Sequence, residues 1–68
     1  SGAALASDGV SVYVTDQGND TVWKCPVSGC PSPIAFALGQ NDPHGIAVDD
    51  TTVYWANNGN GTVMKLAK

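Results

Sequence analysis

Apolar and polar side chains alternate with a period of two over much of the chain. Residues 11–15 (Ser-Val-Tyr-Val-Thr) and 52–56 (Thr-Val-Tyr-Trp-Ala) are rich in β-branched and aromatic residues, which suit a pleated surface. Residues 21–25 and 62–66 alternate in the same way, with Val22 and Lys24 on one face and Thr21 and Trp23 on the other. Short apolar stretches at 5–7 and 46–48 end at Asp8 and Asp49, and 34–38 (Ile-Ala-Phe-Ala-Leu) is apolar enough for one more strand. Asp16-Gln17-Gly18-Asn19-Asp20 and Asn57-Asn58-Gly59-Asn60-Gly61 separate paired segments with residues that tolerate positive φ and so close hairpins. The segment 34–38 is also the one helix-friendly stretch. Pro31 and Pro33 before it and Gly39 after it leave about five residues, too few for a stable helix. The pattern predicts an all-β chain of seven short strands.

These strands are two copies of one unit. Placed without gaps at an offset of 41, residues 5–27 fall on 46–68 with nine identities in 23 positions, where composition alone gives roughly one or two. The identical pairs are Ala6/Ala47, Asp8/Asp49, Val12/Val53, Tyr13/Tyr54, Gly18/Gly59, Asn19/Asn60, Thr21/Thr62, Val22/Val63 and Lys24/Lys65. Leu5/Ile46 and Trp23/Met64 keep their apolar character. Four strands followed by a new start about 41 residues later is the layout of a β-propeller blade.

The second copy reads Gly45-Ile46-Ala47-Val48-Asp49, then Val53-Tyr54-Trp55-Ala56-Asn57, then Gly61-Thr62-Val63-Met64-Lys65. This resembles the YWTD and NHL families of propeller repeats, whose blades read G-I-A-V-D, an I-Y-W-T-D-like strand and an apolar-basic strand. The first copy resembles them through Leu5-Ala6-Ser7-Asp8 and Val12-Tyr13-Val14-Thr15-Asp16. Val14 replaces the Trp there, and Ala56-Asn57 replaces Thr-Asp in the second copy. The resemblance implies propeller blades of four antiparallel strands: residues 1–41 as a first blade and 42–68 as a second blade of three strands, about one and two-thirds blades in all. Asp8, Asp49, Tyr13, Tyr54 and Trp55 are then structural residues of the blades.

Length changes what that layout means. A propeller closes with about four to eight blades, at this period roughly 160 residues or more, and the chain has 68. The expected partners are therefore the remaining blades of a longer parent chain or further copies of itself, with the fragment favoured because repeats bury their faces on neighbours. A hydrophobic content of 43% with 13% charged residues fits a folded chain rather than a disordered one. The net charge of −3, with three lysines and no arginine, leaves no basic stripe for nucleic acid. No apolar run approaches the roughly 18 residues of a membrane span, and Ser1-Gly2-Ala3 lacks the basic segment of a signal peptide, so no membrane insertion is expected.

Few residues offer chemistry. Cys25 and Cys30 flank the connection to the fourth strand; with no second pair they make a poor zinc site, and a local disulfide is expected, two reduced thiols being the alternative. A disulfide implies an extracytoplasmic setting, at the cell surface, in the periplasm or secreted. His44 is the only group that titrates near neutral pH, and it sits at the mouth of an innermost strand, the strand that lines a propeller's channel. Ala3 holds the matching position of the first copy, so no ring of histidines is supplied. In propellers resembling virginiamycin B lyase such a histidine works as general base or metal ligand. The bland alternative is a solvated loop histidine after Asp42-Pro43.

Asp8 and Asp49 recur where a carboxylate accepts backbone N–H groups of the following turn. Asp49, Asp50, Asn57, Asn58 and Asn60 offer oxygen ligands for calcium, without a D-x-[DN]-x-[DN]-G loop, so no cofactor is expected. Asn19-Asp20-Thr21 and Asn60-Gly61-Thr62 match the N-glycosylation sequon but lie where hairpin turns require such residues. Lys24 and Lys65 are expected to face solvent. Tyr13, Tyr54, Trp23 and Trp55 are expected in packing between blades, or else as a sugar-stacking platform. The expected function is a non-catalytic binding or scaffold module of an extracytoplasmic propeller, with a protein or glycan ligand. The alternatives are a propeller lyase or hydrolase using His44 and a carbohydrate-binding propeller.

Overall fold

The computed structural model describes residues 3–30 and 32–68. Ser1, Gly2 and Pro31, the proline expected to precede the fourth strand, lie outside the described residues. All seven expected strands form: β1 (Ala3–Ser7), β2 (Ser11–Asp16), β3 (Thr21–Pro26), β4 (Ile34–Ala37), β5 (Pro43–Val48), β6 (Thr52–Asn57) and β7 (Thr62–Ala67). They make two antiparallel meanders, a four-stranded sheet ordered β1-β2-β3-β4 and a three-stranded sheet ordered β5-β6-β7. No helix is present among the described residues.

The internal repeat holds in register. Leu5 pairs Val14 as Ile46 pairs Trp55, and Ser11 pairs Pro26 as Thr52 pairs Ala67. Four-residue turns close the two equivalent hairpins, with positive φ at Asp20 (51°) and at its counterpart Gly61 (70°). Gly59 is constrained for a different reason: a Cβ there would displace the side chain of Asn41, whose backbone carbonyl accepts the Gly59 N–H at 3.0 Å.

The sheets pack face to face, but with opposite faces of the repeat. Ser11, Tyr13 and Thr15 of the first sheet are buried, whereas in the second sheet the buried set is Val53, Trp55 and Asn57. The counterparts of the latter in the first copy are Val12, Val14 and Asp16, which point the other way because side chains alternate along a strand. The core between the sheets is Tyr13, Val22, Val53 and Trp55, with Phe36, Ala37, Ile46 and Val48 partly buried around it. Phe36 reaches this core through a bulge. Val22 pairs Ala37 while Trp23 pairs Ala35, so Phe36 is the extra residue of β4. Its ring meets Tyr13 edge-on at 5.2 Å and Trp55 at 6.4 Å between centroids.

Among the described residues, four buried hydrophobic residues stand against eight large hydrophobic residues that remain exposed, among them Leu5, Leu38 and Val63. The two sheets therefore leave much of their apolar surface without cover. β7 is exposed along its whole length. Lys24, expected to face solvent, is half-buried instead, with its ammonium 5.7 Å from the centre of the Tyr13 ring, because its face is the one turned toward the second sheet. Lys65 is exposed.

Candidate functional site

The polar groups gather at the two ends of the sheets. One end holds the β2–β3 turn, the β4–β5 connection and the β6–β7 turn, tied together by backbone hydrogen bonds. Gln40 N–H donates to the Asp20 carbonyl (2.8 Å), Asn58 N–H to that of Asp42 (3.0 Å), and Asp42 N–H to Asp20 Oδ1 (3.2 Å). His44 lies here. The sequence places it at the mouth of an innermost strand, with a solvated loop histidine after Asp42-Pro43 as the alternative; β5 begins at Pro43, so His44 is a strand residue. Pro43 pairs Asn57 and Ile46 pairs Trp55, so β5 carries one extra residue at His44-Gly45, a bulge that re-aims the ring.

Both ring nitrogens of His44 are engaged. Nδ1 lies 3.2 Å from Gln17 Nε2, and Nε2 lies 3.3 Å from Asp42 Oδ2. The Gln17 amide nitrogen can only donate, which makes Nδ1 the acceptor and puts the ring proton on Nε2, facing the carboxylate. In this geometry the Nδ1 lone pair is taken up by Gln17. No local pattern singles out Gln17, 27 residues away along the chain; only the fold brings the two together. The glycine after His44, inside a strand pattern, was the available signal for the bulge.

Beside His44, Gln40 anchors the core. Its Oε1 accepts from Trp55 Nε1 (3.1 Å) and from Asn57 Nδ2 (2.9 Å). Asn57 is buried, and its Oδ1 has no hydrogen-bond partner. The counterpart Asp16 is half-buried, and its carboxylate accepts from the N–H groups of Gly18 and Asn19, from Asn19 Nδ2 and from Trp23 Nε1. The donation from the Asn19 amide, then from the indole, holds the Asp16 carboxyl below the usual carboxylate range.

The opposite end holds the turns at Asp8 and Asp49. Asp8 Oδ1 accepts from Val10 and Ser11 N–H at 2.9 and 2.7 Å, and Asp49 Oδ1 from Thr51 and Thr52 N–H at 2.9 and 2.8 Å, one turn repeated at the 41-residue offset. Their second oxygens differ. Asp8 Oδ2 takes Lys68 Nζ at 2.6 Å, which ties the end of β7 to the first sheet, while Asp49 Oδ2 takes the Tyr54 hydroxyl at 2.9 Å. The Lys68 ammonium, then the turn N–H groups, push the Asp8 carboxyl well down. The N–H of Thr51, then the Tyr54 hydroxyl, lower Asp49.

The calcium ligand set does not assemble. Asp49 and Asp50 precede β6 and Asn57, Asn58 and Asn60 end or follow it, so a six-residue strand, about 17 Å, separates the two groups. No group of three or more His, Cys, Asp or Glu fit to hold a metal ion occurs among the described residues. The sequon residues serve their turns: Thr21 Oγ1 donates to the Asn19 carbonyl and Thr62 Oγ1 to Asn60 Oδ1. Cys25 and Cys30 are joined as a disulfide across the start of the β3–β4 connection. Tyr13 and Trp55 are buried between the sheets and offer no ring face to a sugar, and Tyr54 and Trp23 are half-buried on opposite outer faces. Comparison with protein-family models, with curated proteins and with solved structures finds no match to the chain.

Proposed function

We propose that the chain is a pair of β-propeller repeats, residues 1–41 as one blade and 42–68 as three strands of the next, acting as a non-catalytic protein-binding or scaffold module outside the cytoplasm. The observation that carries this is the packing of two in-register copies of one meander through opposite faces of the repeat, as successive blades require. The disulfide fits an oxidising compartment. His44 supports the scaffold reading over the lyase reading, since its Nδ1 is paired with Gln17 and its Nε2 lies beside Asp42.

Two measurements test this. Intact mass and peptide mapping of the protein from its source should find further copies at the 41-residue period, four to eight in a ring. A natural protein holding these two copies alone, monomeric in solution, overturns the propeller. Long-range proton–nitrogen NMR should show His44 Nδ1 accepting a hydrogen bond from the Gln17 amide; an Nδ1 free of that bond restores the lyase.

A further inference from the structure

The repeat supplies its own control for what each face of a sheet needs. In the first sheet, the face bearing Tyr13 and Val22 is covered by the second sheet, and Val22 has no exposure. The same face of the second sheet bears Tyr54 and Val63, and Val63 is 78% exposed. A shallow apolar depression of about 350 Å³ lies on β5 and β6, its lining including Ala47, Tyr54, Ala56 and Val63 of this face together with Gly45, Ile46 and Trp55. Conversely, the face of the second sheet bearing Ile46, Val53 and Trp55 is packed against the first sheet, while its counterpart bearing Leu5, Val12 and Val14 is not, and Leu5 is 69% exposed.

One buried interface and two open half-interfaces thus share one repeat. Each open face repeats part of one side of the interface already formed, Tyr54 and Val63 standing where Tyr13 and Val22 do, and Leu5 and Val12 where Ile46 and Val53 do; β4 with Phe36 has no counterpart in the three-stranded sheet. The aromatic content matches as well. In the buried face Trp55 is the direct cross-strand partner of Met64; in the open face of the first sheet Val14 is the direct partner of Trp23. Each face carries one indole and one aliphatic side chain in a facing pair, with their strands exchanged. Both indoles are held by a side-chain oxygen, Trp55 by Gln40 and Trp23 by Asp16.

We infer that the open face of the second sheet, around Val63 and Tyr54, docks on the open face of the first sheet, around Leu5, Val14 and Trp23, of a second copy of this chain. The contact is head-to-tail, two different patches meeting, so it leaves one open face at each end and propagates until a ring closes. This rests on the blade reading above, because it extends the observed sheet packing by one step. A self-matched dimer, in which like faces meet, is the competing arrangement.

The experiment uses the 68-residue chain with its disulfide intact, measured by light scattering and native mass spectrometry from about 1 µM to 1 mM, a range that populates even small interfaces. Wild type should form discrete species at multiples of 7.0 kDa. Leu5→Glu and Val63→Glu each spoil one face at an exposed position, so both should remain folded by circular dichroism and each alone should be monomeric. Mixed, they should form a one-to-one heterodimer and nothing larger, since one intact face of each kind remains. A wild type monomeric at 1 mM, or folded variants that fail to complement, overturns the docking and leaves the propeller to the mass measurement above. Persistence of a dimer in either single variant shows like-face pairing and overturns both the docking and the blade reading.

Discussion

At the scale of residues, the two copies show how one position answers to different surroundings. Asp16 keeps its charge because four donors surround it at a half-open edge, whereas Asn57, at the same place in the repeat, is buried with one amide donor spent on Gln40. Asn57→Asp would replace that donor with an unpaired buried charge, and a loss of about 3 kcal/mol is expected from urea unfolding. Asp20 has a left-handed backbone at φ 51° while its counterpart is a glycine. Asp20→Ala should cost about 1 kcal/mol, and Asp20→Gly should be milder even though both lose the bond to Asp42 N–H. Asp8, Asp16 and Asp49 all have lowered pKa values in the fold. Their stabilising contribution is present above the unfolded value near ~3.9 and is lost as pH falls through the folded values. Lys68 is raised by its bond to Asp8, so its contribution disappears only as pH rises through that raised value. The urea midpoint should therefore drop steeply below about pH 4. Asp8→Asn and Asp49→Asn together should flatten that drop.

Among elements, strands were legible to within a few residues because alternation and turn chemistry are local. The departures come from bulges. Phe36 sits opposite no partner in β3, which turns its ring into the core between Tyr13 and Trp55. His44-Gly45 makes the second bulge, and it sets His44 within β5 facing Asp42 and Gln17. A bulge depends on where the partner strand places its hydrogen bonds, which no local pattern records. The β3–β4 connection is closed by Cys25–Cys30, with a sequence separation of 5. Cys25→Ser with Cys30→Ser should lower stability by about 2 kcal/mol through chain entropy, read as a shift of urea midpoint. The two-copy packing should survive, since neither cysteine belongs to the core between the sheets.

At the scale of the whole molecule, the question is what covers the outer faces. The accessible surface of 3946 Å² is close to the ~4,000 Å² expected of a folded monomer of this mass, so the pair of sheets is as compact as an ordinary small domain. Its core is nevertheless thin, with four buried hydrophobic residues among those described. Stability of the isolated chain should therefore depend on concentration: if copies cover each other's faces, the thermal midpoint rises with protein concentration, by mass action. Leu5→Glu and Val63→Glu should each abolish that dependence, an outcome that follows from association and not from the fold of one copy.

By itself the sequence determined the seven strands, the two kinds of turn and the 41-residue repeat, and pointed to the Cys25–Cys30 pair, because each rests on alternation, positive φ or neighbours close along the chain. Only the tertiary structure decided which face of each copy turns inward. Both faces carry apolar residues, so the pattern alone is symmetric between them, and the choice that buries Tyr13 in one copy and Trp55 in the other is made when two sheets meet. The same meeting brings Gln17 to His44 and Gln40 to Trp55, pairings over 27 and 15 residues that depend on the docking of whole sheets rather than on any local preference.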